Sequence, residues 1–113
     1  MLVDSHCHLA DGAFVEDHVA VIARAQAAGL AHALCILAAD NETETSRAGG
    51  LAAAWPTLRF GVGLHPHQAR RFDGRESEVA PLVRNAIGRL PQARALGEIG
   101  LDSQITASDH HAV

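Results

Sequence analysis

The chain has 113 residues, of which 48% are hydrophobic and only 4% aromatic, and its formal net charge is −4. This composition supports one packed domain, or part of one, and excludes a disordered chain. The negative charge excludes a broadly basic surface, so a metal ion or a local basic patch would have to attract the phosphates of a nucleic-acid partner.

Hydrophobic periodicity predicts four strands that alternate with three helices. In chain order the predicted elements are strand 1–9, helix 15–28, strand 32–38, helix 40–55, strand 58–64, helix 76–90 and strand 93–101. Residues 65–74 are predicted as a loop, and Pro81 should lie within the first turn of its helix. Strands and helices that alternate in this way form a parallel sheet with right-handed crossovers, so the predicted fold is α/β.

The last stretch of the chain breaks this alternation. Residues 103–113 are mostly polar and show no amphipathic stripe, although a helix should follow the fourth strand. We therefore expect a domain of residues 1–102 followed by a divergent polar tail of residues 103–113.

The strongest local motif is Asp4-Ser5-His6-Cys7-His8 in the first strand. Alternate side chains share a face of a strand, so His6, His8 and Asp4 should point one way and Cys7 the other. Two imidazoles on one face at a strand end suit a shared metal ion. The alternative is that both histidines are ordinary, partly buried residues; Cys7 is expected to be a small core residue.

The fourth strand carries a carboxylate, Glu98, between Gly97 and Gly100. A carboxylate on the inner face of a buried strand is costly unless it is paired or binds a metal. The alternative to metal binding is an ion pair with an arginine. Metal binding is favoured because the glycines clear space around Glu98 and because His6 and His8 are available. A carboxylate shared by two cations would form a dinuclear site.

The third strand ends at His65, which should reach the same end of the sheet as His8 and Glu98. In parallel α/β folds that end binds ligands. His65 is a candidate acid, phosphate contact or partner of a metal ligand, and the alternative is a loop residue bonded to backbone. The nearby Arg70-Arg71 pair could contact phosphate but is more often a solvated loop.

Four stretches of the chain together resemble the TatD family of metal-dependent deoxyribonucleases. They are Val3-Asp4-Ser5-His6-Cys7-His8-Leu9, Ile22-Ala23-Arg24-Ala25 with Ala28-Gly29, Gly61-Val62-Gly63-Leu64-His65-Pro66-His67, and Gly97-Glu98-Ile99-Gly100-Leu101-Asp102. The likeness covers about residues 1–102. The first, third and fourth motifs in this order are specific, whereas His-x-His alone also occurs in the wider amidohydrolase group.

The resemblance implies the N-terminal half of a TIM-type (β/α)8 barrel that hydrolyses phosphodiester bonds of DNA with two divalent metal ions, Mg²⁺, Mn²⁺ or Zn²⁺. It implies that His6 and His8 bind one metal, that Glu98 binds both, and that His65 lies near the site with a catalytic role. The other ligands of the family lie on later strands, which this chain lacks.

Half a barrel has open sheet edges, so we expect self-association and impaired nuclease activity. The alternatives are a non-catalytic metal-binding fragment and a hydrolase of small-molecule esters or amides. The chain has only two cysteines and no secretory signal pattern, and its longest apolar runs are well short of the roughly 20 residues that a membrane span needs. These features predict a cytoplasmic protein without membrane contact.

Overall fold

The computed structural model describes residues 1–100, in which four strands alternate with helices. The regular elements are β1 (Leu2–Cys7), α1 (His18–Ala27), β2 (Leu30–Ala38), α2 (Glu42–Ser46), α3 (Ala48–Ala54), β3 (Arg59–Gly63), α4 (Val79–Gly88) and β4 (Ala93–Leu96). Short 3-10 helices occupy the connections at Gly12–Phe14, Pro66–Phe72 and Glu76–Glu78. The predicted boundary at residue 102 and the predicted tail lie outside the described residues.

The strands form one parallel sheet in the order β1-β2-β3-β4. Each strand is therefore a neighbour of the next one along the chain, as in a (β/α) barrel. This confirms the predicted α/β fold with its four parallel strands. Within residues 1–100 the sheet is open, because β1 and β4 each pair on one side only.

Several element bounds differ from the prediction for local reasons. The predicted second helix divides at Arg47 into α2 and α3, and the Arg47 guanidinium donates a hydrogen bond to the carbonyl oxygen of Ala10. The first helix begins only at His18, because a 3-10 turn capped by Asp11 precedes it. The predicted loop after β3 contains a 3-10 helix, and Pro81 lies in the first turn of α4 as expected.

The hydrophobic core lies between the sheet and the helices that cover one of its faces. Cys35, Phe60 and Val62 have no exposed surface, and they come from the two central strands. Helix residues complete the core, including Ile22, Leu51, Val83 and Ala86. Fully burying a side chain such as Val or Phe contributes roughly 1.5–3 kcal/mol, so the central strands anchor the sheet.

The two edges of the sheet expose apolar side chains. Leu2 and Val3 on β1 are 57% and 60% exposed, while Leu96 on β4 and Ile99 after it are 61% and 67% exposed. Leu96 and Ile99 also line an apolar groove of about 760 Å³ between the Pro66–Phe72 helix and α4. Among the described residues, every helix is too short or too polar to cross a membrane.

Candidate metal centre

The side chains of the first strand do not alternate regularly between the two faces of the sheet. Asp4 pairs with Ala33 and Cys7 pairs with Cys35, so two residues of β1 lie opposite one residue of β2 between these positions. Ala33 and Cys35 are two apart and both lie in the core, which places Asp4 and Cys7 on the helix-covered side. The prediction that Asp4 shares a face with His6 and His8 is therefore wrong. Its carboxylate instead accepts a hydrogen bond from the backbone N–H of His6.

His6, His8 and Glu98 meet at the rim formed by the carboxyl ends of the strands. The Nε2 atoms of His6 and His8 are 3.2 Å apart. Oε2 of Glu98 lies 3.4 Å from Nε2 of His6 and 4.0 Å from Nε2 of His8. One donor atom from each of the three side chains lies within 4.8 Å of the other two. Both imidazoles are about half exposed, so solvent reaches the cluster.

His65 joins this cluster from the end of β3. Its Nε2 atom lies 3.1 Å from Oε1 of Glu98, and its Nδ1 atom accepts a hydrogen bond from the backbone N–H of His67. Because Nδ1 accepts, the proton of a neutral imidazole resides on Nε2, which therefore donates to Glu98. Glu98 thus turns one oxygen toward His65 and the other toward His6 and His8.

Glu98 reaches the rim without belonging to a strand. β4 ends at Leu96 rather than at the predicted residue 101, and the chain continues past β3 in close contact with Gly63. A Cβ on Gly63 would lie 2.7 Å from the carbonyl oxygen of Glu98. The glycine that clears space for Glu98 is therefore Gly63 on the neighbouring strand, in addition to the glycines beside it in sequence.

A further carboxylate, Glu44, borders the same rim and was missed by the sequence reasoning. With His8, His65 and Glu98 it lines a cavity of about 140 Å³. Its Oε1 accepts a hydrogen bond from the backbone N–H of Ala38, at the end of β2. Asn41 caps α2 by accepting from the backbone N–H of Glu44. The Asn-x-x-Glu spacing resembles a capping box, which is the signal that the sequence offered.

The basic pair near the site is held by the protein itself. Arg71 donates to Asp40 at 2.7 Å, and the Asp40 side chain is only 7% exposed. Asp40 follows β2, so this ion pair ties the Pro66–Phe72 helix to the rim of the sheet. Arg71 is thus paired with Asp40, and its side chain also stays 61% exposed, so the expectation of a solvated position is not contradicted.

Behind the histidines, Cys7 and Cys35 face each other across β1 and β2. A hydrogen bond from the Cys35 thiol to the Cys7 sulfur lowers the pKa of Cys7, against the opposing effect of its burial. The same hydrogen bond raises the pKa of Cys35, and burial raises it further. Cys7 packs against the core, as predicted, and is not turned toward the imidazoles.

The donor set at the rim suits a divalent cation. Two imidazoles with one carboxylate are donors that Zn²⁺ and related ions accept, and an exposed rim leaves positions for water or substrate. The three donor groups, His6, His8 and Glu98, all lie within the described residues 1–100. His65 lies on the far oxygen of Glu98 and would orient that carboxylate while the other oxygen binds metal.

Comparison with known proteins agrees with the motif-based resemblance. The profile of the family described as TatD related DNase matches residues 3–113. The 3'-5' ssDNA/RNA exonuclease TatD of Edwardsiella piscicida is 36% identical over 103 residues, which are 89% of this chain and 37% of that protein. The exonucleases of the same name from Citrobacter rodentium and Klebsiella pneumoniae are 35% and 36% identical. The chain thus spans just over a third of the length of these relatives.

Proposed function

The chain belongs to the family of TatD-related DNases, and from this we propose that it takes part in divalent-metal-dependent hydrolysis of phosphodiester bonds in DNA. The observation that carries the proposal is the convergence of His6, His8 and Glu98 within 4.8 Å. The relatives are named as exonucleases of single-stranded DNA and RNA, and DNA is the substrate class that we propose for this chain.

We assign His6 and His8 to one cation and propose that Glu98 would hold that cation and a second one. Oε2 of Glu98 faces both His6 and His8, which supports the first cation, whereas Oε1 accepts a hydrogen bond from His65. Bound divalent cations would polarise the phosphoryl group and supply an activated water near neutral pH. They would also attract the substrate, since the chain has a net charge of −4 and no general affinity for phosphate.

We propose that His65 has two roles at this site. Its Nε2–H donates to Glu98 and so fixes the direction of that carboxylate. Its side chain is 35% exposed beside the cavity, where its Nε2–H, on turning from Glu98, would donate to an oxygen of the substrate phosphate during the reaction.

We further propose that the chain self-associates through its sheet edges. The apolar residues Leu2 and Val3 at one edge and Leu96 and Ile99 at the other are more than half exposed. All four strands are parallel, so β4 of one copy could pair with β1 of a second copy in a continuous parallel sheet. Light scattering over a range of protein concentrations would show the dimer, and a constant monomer mass would reject it. A cytoplasmic location stays a prediction.

The second candidate is a metal-binding chain without nuclease activity. It is favoured by the fact that the chain corresponds to only 37% of the length of the first relative. In that case the three donors would still bind a cation, but labelled DNA would stay intact.

The deciding experiment follows release of nucleotides from end-labelled single-stranded DNA with Mg²⁺, Mn²⁺ or Zn²⁺. Wild type is compared with His6→Ala, Glu98→Gln and the matched control His32→Ala, an exposed histidine beside the start of β1. We expect activity in wild type and His32→Ala and loss in the other two. Equal release by all four proteins would reject the proposal. Parallel Mn²⁺ titrations identify the non-catalytic alternative, and a p-nitrophenyl ester assay tests small-molecule hydrolysis.

A further inference from the structure

Cys7 and Cys35 form a dithiol at one point of the sheet. They are direct partners in the β1–β2 ladder, and Cys7 packs against the core cluster that contains Cys35. Neighbouring strands are about 4.7–4.9 Å apart, and the Cα atoms of a disulfide are usually about 4.4–6.8 Å apart. The backbone therefore already has the separation that a disulfide requires.

A route to this pair exists from one side. Cys35 has no exposed surface, whereas Cys7 is half-buried and lines a cavity of about 140 Å³ beneath α1. The cavity walls are mainly apolar side chains, including Phe14, Val21 and Trp55. A small uncharged reagent would thus meet Cys7 first, and Cys35 would be the thiol that closes the bond.

We propose that Cys7 and Cys35 are an oxidisable dithiol site that takes small-molecule disulfides, and that closing it weakens cation binding at the neighbouring histidines. The first step joins Cys7 to one half of the reagent and releases the other half as a thiol. In the second step Cys35 attacks the sulfur of Cys7 and releases the second half as a thiol. The two cysteines together lose two protons and two electrons, which the reagent receives.

The connection to the histidines is covalent and short. Cys7 lies between His6 and His8 in sequence, at the end of the stretch where β1 departs from regular pairing. Bonding the sulfur atoms at about 2.05 Å fixes the side-chain torsions of Cys7 and restrains the backbone on either side of it. The two imidazoles, whose Nε2 atoms are 3.2 Å apart, would then shift relative to Glu98. This second part rests on the proposed metal-binding function, whereas the dithiol site itself does not.

The first measurement uses the folded wild-type chain and hydroxyethyl disulfide as the reagent. Intact mass and non-reducing peptide mapping should show loss of two hydrogens and a Cys7–Cys35 cross-link within one chain, reversed by dithiothreitol. Cys7→Ser and Cys35→Ala should form no such cross-link. Retention of both free thiols in the folded wild type, under conditions that oxidise the urea-unfolded chain, would overturn the site.

The second measurement is a Mn²⁺ titration of the reduced and oxidised forms, because Mn²⁺ prefers oxygen and imidazole ligands over thiolates. We expect about tenfold weaker binding in the oxidised form, the scale of effect typical of groups that orient metal ligands. Cys7→Ser, which leaves only the buried Cys35, should have the same affinity before and after treatment with the reagent. Equal affinity of the two wild-type forms would overturn the coupling. If even the reduced form failed to bind Mn²⁺, the proposed metal site would be refuted. The dithiol site would then be decided by the mass spectrometry alone.

Discussion

Gly63 on β3 is in backbone contact with Glu98, because a Cβ on this glycine would lie 2.7 Å from the Glu98 carbonyl oxygen and 2.9 Å from its nitrogen. Real Cβ atoms do not approach backbone atoms so closely, so a larger residue must push the two segments apart. The position of the Glu98 carboxylate at the rim thus depends on the absence of a side chain at Gly63, on the neighbouring strand.

The first prediction concerns this contact. Gly63→Ala should lower the free energy of unfolding by roughly 1–3 kcal/mol, as expected for overpacking, and should weaken Mn²⁺ binding. Urea denaturation and metal titration measure the two effects. Gly49→Ala is the matched control, because this residue lies in α3 and, apart from its chain neighbours and the backbone of its own helix, no atom of the described residues lies within 4 Å of a Cβ there. The control should be neutral or stabilising by up to ~1 kcal/mol. Equal behaviour of the two variants would contradict the prediction.

The second prediction concerns Glu44. Glu44→Ala removes the acceptor of the part-buried Ala38 N–H, which should cost about 1–3 kcal/mol of unfolding free energy. Glu44→Gln retains an amide oxygen in the same place and should lose less. Thermal denaturation compares the two variants. If glutamine were as damaging as alanine, the hydrogen bond to Ala38 would not be the cause, and the charge of Glu44 would have to matter instead.

The third prediction concerns Phe60, which is fully buried between sheet and helices. Phe60→Ala should cost roughly 3–5 kcal/mol, because it removes apolar contacts and leaves a cavity in the core. Val19→Ala on the exposed side of α1 is the control, since Val19 is 63% exposed. Its effect should stay within about 0.5 kcal/mol. Unfolding in guanidinium, monitored by Trp55 fluorescence, would measure the change in unfolding free energy of both variants. A small loss of stability in Phe60→Ala would argue against the described core.

The fourth prediction is a pH dependence. A hydrogen bond from Arg89, together with its charge, lowers the pKa of Glu42 below the ordinary value of 4.5. The folded state therefore binds fewer protons than the unfolded state, so the pair stabilises the fold above pH 4.5 and loses this effect as the pH falls through the lowered pKa.

Glu42→Gln should accordingly unfold at a slightly lower temperature than wild type near neutral pH, and the gap should close in acid. Added salt should narrow it as well, because both groups lie at the surface. Glu16→Gln, at another exposed carboxylate, is the matched control for the loss of one surface charge. A gap for Glu42→Gln that persisted unchanged in acid would exclude the ion pair as its origin.

Most of the fold was accessible from sequence because it depends on local periodicity. The buried runs around Leu37 and Val62 predicted the central strands, and the apolar stripe through Val83 and Ala86 predicted α4. The pair His6 and His8 was also accessible, since alternation along a strand holds over two residues. These predictions needed no knowledge of how the strands pair.

The features that failed depend on pairing between strands. Strict alternation placed Asp4 with the histidines, but the irregular pairing of β1 with β2 between Asp4 and Cys7 reverses that expectation. β4 likewise ends at Leu96, before Glu98, because its pairing with β3 extends no further than Val62 and Leu96. Glu44 gave only a capping signal, and its contact with Ala38 exists only once α2 has folded back onto β2.

The distance along the chain between His6 and Glu98 has a thermodynamic consequence. These residues lie near opposite ends of the described chain, and their side chains meet only after every intervening strand has docked. A cation held by both would have almost no affinity for the unfolded chain, so its binding energy would add directly to folding stability by mass action. The melting temperature should then rise steadily with the logarithm of ion concentration. Calorimetry would therefore report the docking of the four strands as well as the binding of the ion.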